Sequence, residues 1–340
     1  MAELVQGYNT YVGMGIQSGS IGTQATPTVF QKSKGIKLNE RHASQARIAS
    51  NTGKRGYYAS IKGRTTVDGS IPIDAYPDEW IDGLLFAMML GSNNSVSGSA
   101  GIGYTHTFEE PVDCTDFPVY GSTISAYKGG CSLSTAMRFD YVGCFLKTLT
   151  IDIPEDGIVT VEPTFVASEC IHGGTLPTAT FSSKTPYETW MAKLEIGATI
   201  STLTPLAFTN FNFSADTGAE MRFSGGSAVA KVRTFNGFPD YKITFTADMA
   251  DNLTLYDYWV NKTEVALRMT LTHTDLAGTS SGAYSIQIDL PRGIFTGQPF
   301  DIDGQALQKE NMTFESMMHE TLGYGIKVIT VNSHSGTYAV

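Results

Sequence analysis

The chain is poor in cysteine, in charge and in long apolar runs. Its four cysteines, Cys114, Cys131, Cys144 and Cys170, show no CxxC or paired spacing. That speaks against a disulfide framework, and in a reducing compartment they are most simply small buried hydrophobes. Only 16% of the residues are charged, so there is no charge excess of the kind that keeps a chain disordered. The longest purely apolar run, Leu84 to Leu90, falls far short of the roughly 20 residues a membrane-spanning helix needs. Met1 to Phe30 contains no Lys or Arg and no apolar stretch fit for a signal peptide. A soluble protein made in a cytoplasm, with no membrane partner, is expected.

Catalytic and ligand motifs are equally thin. Val12-Gly-Met-Gly-Ile-Gln-Ser-Gly19 has the glycines of a phosphate loop but no Lys-Ser/Thr, no preceding strand and no following helix. No Ser/His/Asp set stands out from so serine-rich a chain. The adjacent acids Asp78/Glu79 and Glu155/Asp156 have structural reasons of their own, at a helix start and in a hairpin turn. Cys170-Ile-His172 offers two donors, but no second pair at ligand spacing accompanies it, and His42, His106, His273, His319 and His334 are scattered. No enzyme, cofactor or metal is expected. The spare aromatics Trp190, Phe208, Phe211 and Phe213 suit a core or an interface better than a ligand platform.

What the chain does have is glycine, 35 residues among 340, with abundant Thr, Ser and aromatics. That mixture favours strands and tight turns. Alternation marks strands at Thr66–Asp74, Tyr104–Phe108, Leu146–Ile153, Ile158–Phe165, Ala207–Ser214, Lys242–Asp248, Val265–His273 and Tyr284–Pro291. Pro154-Glu-Asp-Gly157 is a hairpin turn between two of them. Pro77 to Gly91 predicts a helix near 77–90, with Pro and two acids in its first turn and a glycine after its last. Ser92–Gly103 looks like a linker and 1–30 like an irregular arm.

The charge is segregated. Gln31 to Arg64 holds nine basic residues, Lys32, Lys34, Lys37, Arg41, Arg47, Lys54, Arg55, Lys62 and Arg64, against the single acid Glu40. The remainder carries 14 basic and 32 acidic residues. With a pI of 5.1 and no binding module, the basic segment suits an assembly loop better than a nucleic-acid site, although Tyr57 and Tyr58 sit within it.

The second half repeats the first. Ser70–Asp74 followed by Tyr76–Asp82 matches Thr244–Asp248 followed by Ala250–Val260, which places a second helix near 251–261. Met137-Arg-Phe-Asp-Tyr141 matches Ile286-Gln-Ile-Asp-Leu290. Ile151-Asp-Ile and Pro163-Thr-Phe165 match Phe300-Asp-Ile and Met312-Thr-Phe314. The extra residues of the first copy fall in the Gly/Ser-rich region 91–130. The expected division is an arm 1–30, a first domain 31–171 with the basic loop 31–64, a linker 172–188, a second domain 189–320 and a C-terminal arm 321–340. Trp80, Leu84 and Trp259 are the candidate core anchors.

In order and total length, these elements resemble the tail tube proteins of long-tailed bacteriophages. The carriers are Val12-Gly-Met-Gly, Pro27-Thr-Val-Phe30, the basic stretch to Arg64, the strand and helix around Trp80, Tyr104-Thr-His-Thr-Phe108, and the strand pair from Tyr141 to Phe165. The chain is similar to siphovirus-type tubes, flagellotropic phages among them. The resemblance implies a mainly β fold: two tandem β-sandwich domains, each with a short helix, whose inner sheets close into ring-shaped barrels on oligomerisation. It implies homo-oligomeric rings, trimers with pseudo-sixfold symmetry rather than hexamers, stacked into a tube in the virion after assembly in the host cytoplasm. Tape measure, tail terminator and tip proteins would be partners, and double-stranded DNA would transit without specific binding. The nine basic residues then become candidate contacts between subunits or rings. The rival reading is a β-sandwich binding module of a tail tip or adhesin, carbohydrate- or host-surface-binding; a glycan-cleaving β enzyme is a third.

Overall fold

A computed structural model describes residues 10–17, 21–45, 61–91, 94–111, 121–128, 137–173, 178–225, 227, 229–230, 232–248, 254–297 and 309–338. Strand follows strand almost throughout. The first half contains β1 (Thr10–Ile16), β2 (Val29–Lys32), β3 (Asn39–Gln45), β4 (Ile61–Ser70), β5 (Ile73–Asp74), β6 (Asn94–Ser99), β7 (Gly103–Glu109), β8 (Ser122–Lys128), β9 (Met137–Ile153), β10 (Thr160–Ala167) and β11 (Glu169–His172). The second contains β12 (Ala192–Gly197), β13 (Thr204–Leu206), β14 (Asn210–Asp216), β15 (Ala219–Arg222), β16 (Val232–Phe235), β17 (Asp240–Asp248), β18 (Val265–Leu276), β19 (Ala283–Thr296), β20 (Lys309–Ser316) and β21 (Lys327–Asn332). The strand pairings are antiparallel, and no closed barrel forms among the described residues.

Two long strands organise everything. The first part of β9 pairs with β8 and β11, while its second part pairs with β10 and β14. Strand β19 does the same: its first part meets β18 and β21, its end meets β20. Each therefore bends from one layer into another. One long sheet runs β3-β4-β10-β9-β14-β17-β20-β19. Behind it lie β2-β1-β8-β9-β11 in the first half and β13-β12-β18-β19-β21 in the second.

The register repeats as well as the order. Buried Asp140 and Asp289 occupy equivalent places, each held by an arginine: Arg138 Nε lies 2.8 Å from Asp140 and Arg268 Nε 2.6 Å from Asp289. A register shift falls between Ser122 and Ile124 opposite β9, and between Val265 and Leu267 opposite β19. Gly15 and Gly197 are both edge-packed glycines: an added Cβ would sit 2.3 Å from the Thr26 carbonyl oxygen and 2.4 Å from that of Thr202. Phe165 and Phe314, both fully buried, face β9 and β19 at matching steps.

The helical segment begins at Trp80, with a π-helical turn over Trp80–Leu84 and α1 over Leu85–Leu90. Asp78 accepts the Ile81 amide at 3.0 Å, and the chain leaves the helix at Gly91 with φ +85°, a conformation glycine adopts at low cost. The second helix, α2, spans Thr254–Val260. Trp80 and Leu84 are buried in the apolar core, and Trp259 packs against it half-buried.

Three segments differ from the sequence expectations. The stretch 1–30, expected as an irregular arm, holds β1, whose Val12 and Met14 are fully buried; its glycines satisfy close backbone approach rather than looseness. The Ser92–Gly103 linker holds β6, which forms a hairpin with β7. This is the extra element of the first half, and β7 crosses over to pair with β21 of the second. The C-terminal stretch 321–340 contains β21 itself, paired on both edges and alternately buried.

Candidate assembly surfaces

The long sheet has one apolar and one polar face, as strict alternation dictates. Inward go Leu38, Val67, Val161, Leu149, Ile151, Ile153, Phe211, Phe213, Ile243, Phe245, Met312 and Phe314, all buried. Outward go Lys37, Asn39 and Arg41; Asp68 and Ser70; Thr160, Glu162 and Thr164; Thr148, Thr150 and Asp152; Asn210, Asn212, Ser214 and Asp216; Lys242, Thr244 and Thr246; and Asn311, Thr313 and Glu315. Threonine, asparagine and acids dominate this face. Its cations lie against its acids: Lys37 on Glu162 at 3.4 Å, Arg41 on Asp68 at 3.3 Å, Lys242 on Asp240 at 2.6 Å and on Glu315 at 3.6 Å. Asp152 accepts only a neutral partner there, the Asn212 amide at 3.3 Å.

The seam between the halves is a strand pair, β9 with β14, running from Thr148 opposite Asp216 to Ile153 opposite Phe211. It fuses two four-stranded sheets into one. At the far end β3 pairs with β4 on one side, and among the described residues no strand covers its other edge. An edge of this kind is a template for another chain.

The basic segment divides in two. Arg47, Lys54, Arg55 and the Lys62 side chain lie outside the described residues. The others are engaged within the chain. Lys34 meets Asp74 at 2.5 Å, Lys32 sits 5.6 Å over the Tyr76 ring, Lys37 and Arg41 hold the acids named above, and Arg64 stacks 4.8 Å over Phe223. By register, β3 and β4 correspond to β14 and β17, and the β15–β16 hairpin lies between the latter two. That hairpin reaches across the seam onto the first half. Arg233 lies 4.7 Å over Phe145, the Ser168 hydroxyl donates to the Ala230 carbonyl, and Val229 bridges to Thr65.

The titratable groups form no catalytic constellation among the described residues. His106 is buried between Asn332 and the His334 carbonyl, and His273 contacts Thr185. Glu155 and Asp156 stand exposed in the hairpin turn. Asp78 is half-buried, and desolvation of its carboxyl outweighs its bonds to the Ile81 and Trp80 amides, pushing it up to about 7. Asp82, buried one turn on, is raised by desolvation and then by Asp78, with Tyr187 Oη 3.4 Å away. His42 and His172 both approach Glu40, at 3.5 Å each.

Sequence reasoning located many of the strands but not their common outward face. Its signal was present as the polar half of each alternation, as in Asn210-x-Asn212-x-Ser214-x-Asp216. Which strands lie side by side is set by pairings between distant segments. No described helix is long and apolar enough to cross a membrane. A sequence model of the phage tail tube protein family matches residues 7–315. No curated protein matches the chain.

Proposed function

Because the chain belongs to the phage tail tube protein family, and is thereby a structural component of the virion tail, we propose that it carries two tandem tube domains and polymerises into a DNA-conducting channel. The first domain is built on β1–β11 and the second on β12–β21. The domain bodies keep to 31–171 and 189–320, joined by 172–188, with β1 and β21 as added strands of their own halves.

The observation that carries the reading is the continuous long sheet with its polar face. Edge-to-edge fusion at β9–β14 is how one domain already joins the next within the chain. Repeating that step between chains sets the open edge of β3 against the end of β19 in a neighbour, and three chains close a ring of pseudo-sixfold symmetry. Closure removes the exposed edges that otherwise invite aggregation. Rings stack into the tube, and tape measure, terminator and tip proteins meet its ends.

The polar face then lines the channel. Threonine, asparagine and acids keep it hydrated and repel phosphate, while the cations on it lie against acids, so DNA finds little to bind by counterion release. The basic segment 31–64 is assigned to contact a neighbouring subunit or ring, the role that the β15–β16 hairpin plays across the seam within the chain. Nucleophile-and-base chemistry has no part in this role.

Mass measurement on single rings tests the symmetry: three chains are expected, whereas six chains, or a persistent monomer at high concentration, would overturn it. The loop is tested by the double variant Lys54→Ala/Arg55→Ala, which should shorten or abolish tubes in negative-stain micrographs. Tubes of wild-type length and yield would remove the loop from assembly.

A further inference from the structure

The two halves differ sharply at one set of equivalent positions. Counting along the paired strands from Asp140 and Asp289, Cys170 and His172 of β11 correspond to Ile326 and Val328. Counting along β3 and β14, Glu40 corresponds to Ala215. In the second half all three residues are apolar and buried. In the first they are a carboxylate, a thiol and an imidazole, and their donor atoms all lie within 4.8 Å of one another. The fold does not require polar groups here, since its other copy does without them.

We propose that Glu40, Cys170 and His172 form a binding site for a zinc-class divalent transition-metal ion. Glu40 lies on β3 of the long sheet and Cys170-x-His172 on β11 of the layer behind, so bound metal ties the two layers of the first half together. Residues i and i+2 of a strand share a face, which directs Cys170 and His172 to the same side. A thiolate, an imidazole and a carboxylate form a tetrahedral zinc donor set with one position left for water. One thiolate and one carboxylate also neutralise a divalent charge, an advantage at a half-buried site. With metal–ligand bonds of about 2.0–2.3 Å the donors of a tetrahedral site stand roughly 3.5 Å apart. Closing from 4.8 Å therefore takes a shift of about 1 Å, within reach of exposed His172 by side-chain rotation. His42 is the positioning residue. Its Nε2 is 3.5 Å from Glu40 Oε1, while His172 faces Oε2, and its Nδ1 is 3.0 Å from Thr65 Oγ1, which orients the ring as outer partners of metal ligands do.

The test uses the full chain, stripped with chelator and titrated with Zn(II) and, separately, Co(II). One ion per chain is expected. Co(II) should give the intense visible bands of a four-coordinate site together with a near-ultraviolet thiolate charge-transfer band. Cys170→Ser should abolish the thiolate band, and His172→Ala and Glu40→Gln should each weaken Zn(II) binding at least tenfold. His172 is exposed, so its variant will fold, and an unchanged circular dichroism spectrum checks this. Cys114→Ala, Cys131→Ala and Cys144→Ala should leave both readouts intact. A Co(II) complex without a thiolate band, wild-type affinity in His172→Ala, or loss of binding in one of the three control cysteine variants would each overturn the assignment.

Discussion

The two halves share strand order, register, a bulge and a tight glycine, yet they treat their surroundings differently. The first half adds the β6–β7 hairpin and lends it to the second. The second half reaches back with β15–β16 onto the first. Its helix is short and only partly covered, whereas Trp80–Leu90 is buried along its whole length. A repeated fold therefore fixes the strands and leaves the connections to specialise. What the halves keep in common is the scaffold of the long sheet; what distinguishes them is how each holds on to its neighbour.

The strongest way to break that comparison is to cut the same side chain from each half. Phe165→Ala and Phe314→Ala remove equivalent buried rings, and each should cost about 3–5 kcal/mol. Calorimetry should show a single transition lowered in both variants, because one apolar core spans both halves. Two transitions, only one of them shifted, would show halves that fold independently.

A smaller effect is expected at the matched glycines. Gly15→Ala and Gly197→Ala force a methyl onto a backbone carbonyl that cannot retreat, for about 1–3 kcal/mol each. Chemical denaturation measures both, and a neutral result at one site would show that the strand it packs against can yield.

Smaller again, and confined to the first half, is a pH effect. Folding lifts the Asp78 carboxyl to about 7, so the folded state holds its proton where the unfolded chain, near 3.9, has released it. Stability from this group is complete below about pH 4 and is lost as pH rises through about 7. Asp78→Asn keeps an acceptor for the Ile81 amide but cannot ionise. It should flatten the fall in melting temperature between about pH 4 and about pH 7, and an unchanged slope would assign the pH dependence elsewhere. Least of all, Lys37→Ala and Lys242→Ala break exposed ion pairs on the polar face and should shift stability by no more than ~1 kcal/mol.

Much of this was legible in the sequence, for physical reasons that also mark where legibility stops. The hairpin across Pro154–Gly157 and the helix at Trp80 declare themselves through turn chemistry and apolar spacing, both local. Strand β1 does not, because Gly13 and Gly15 dilute its alternation; they are glycines since Phe30 and the Thr26 carbonyl press against them. Strand β6 hides in a Gly/Ser stretch because its partner β7 holds it, not its own side chains. The donor pair Cys170-x-His172 was visible, but its complement Glu40-x-His42 lay inside a segment defined by positive charge. Only the packing of β3 near β11 brings the two together. The ion pairs of Lys34, Lys37 and Arg41 were hidden likewise, since their acids come from β5, β10 and β4.

The β6–β7 hairpin occurs once per chain, on a sheet whose strands otherwise repeat twice. A tube built from this subunit would be nearly smooth and sixfold when viewed from its bore. On its rear layer it would carry three ribs per ring, each at the junction of unlike halves. Successive rings of the proposed tube would then favour a rotation that seats rib against groove. Such seating would give the proposed column a preferred pitch and hand, which a subunit with two identical halves would lack.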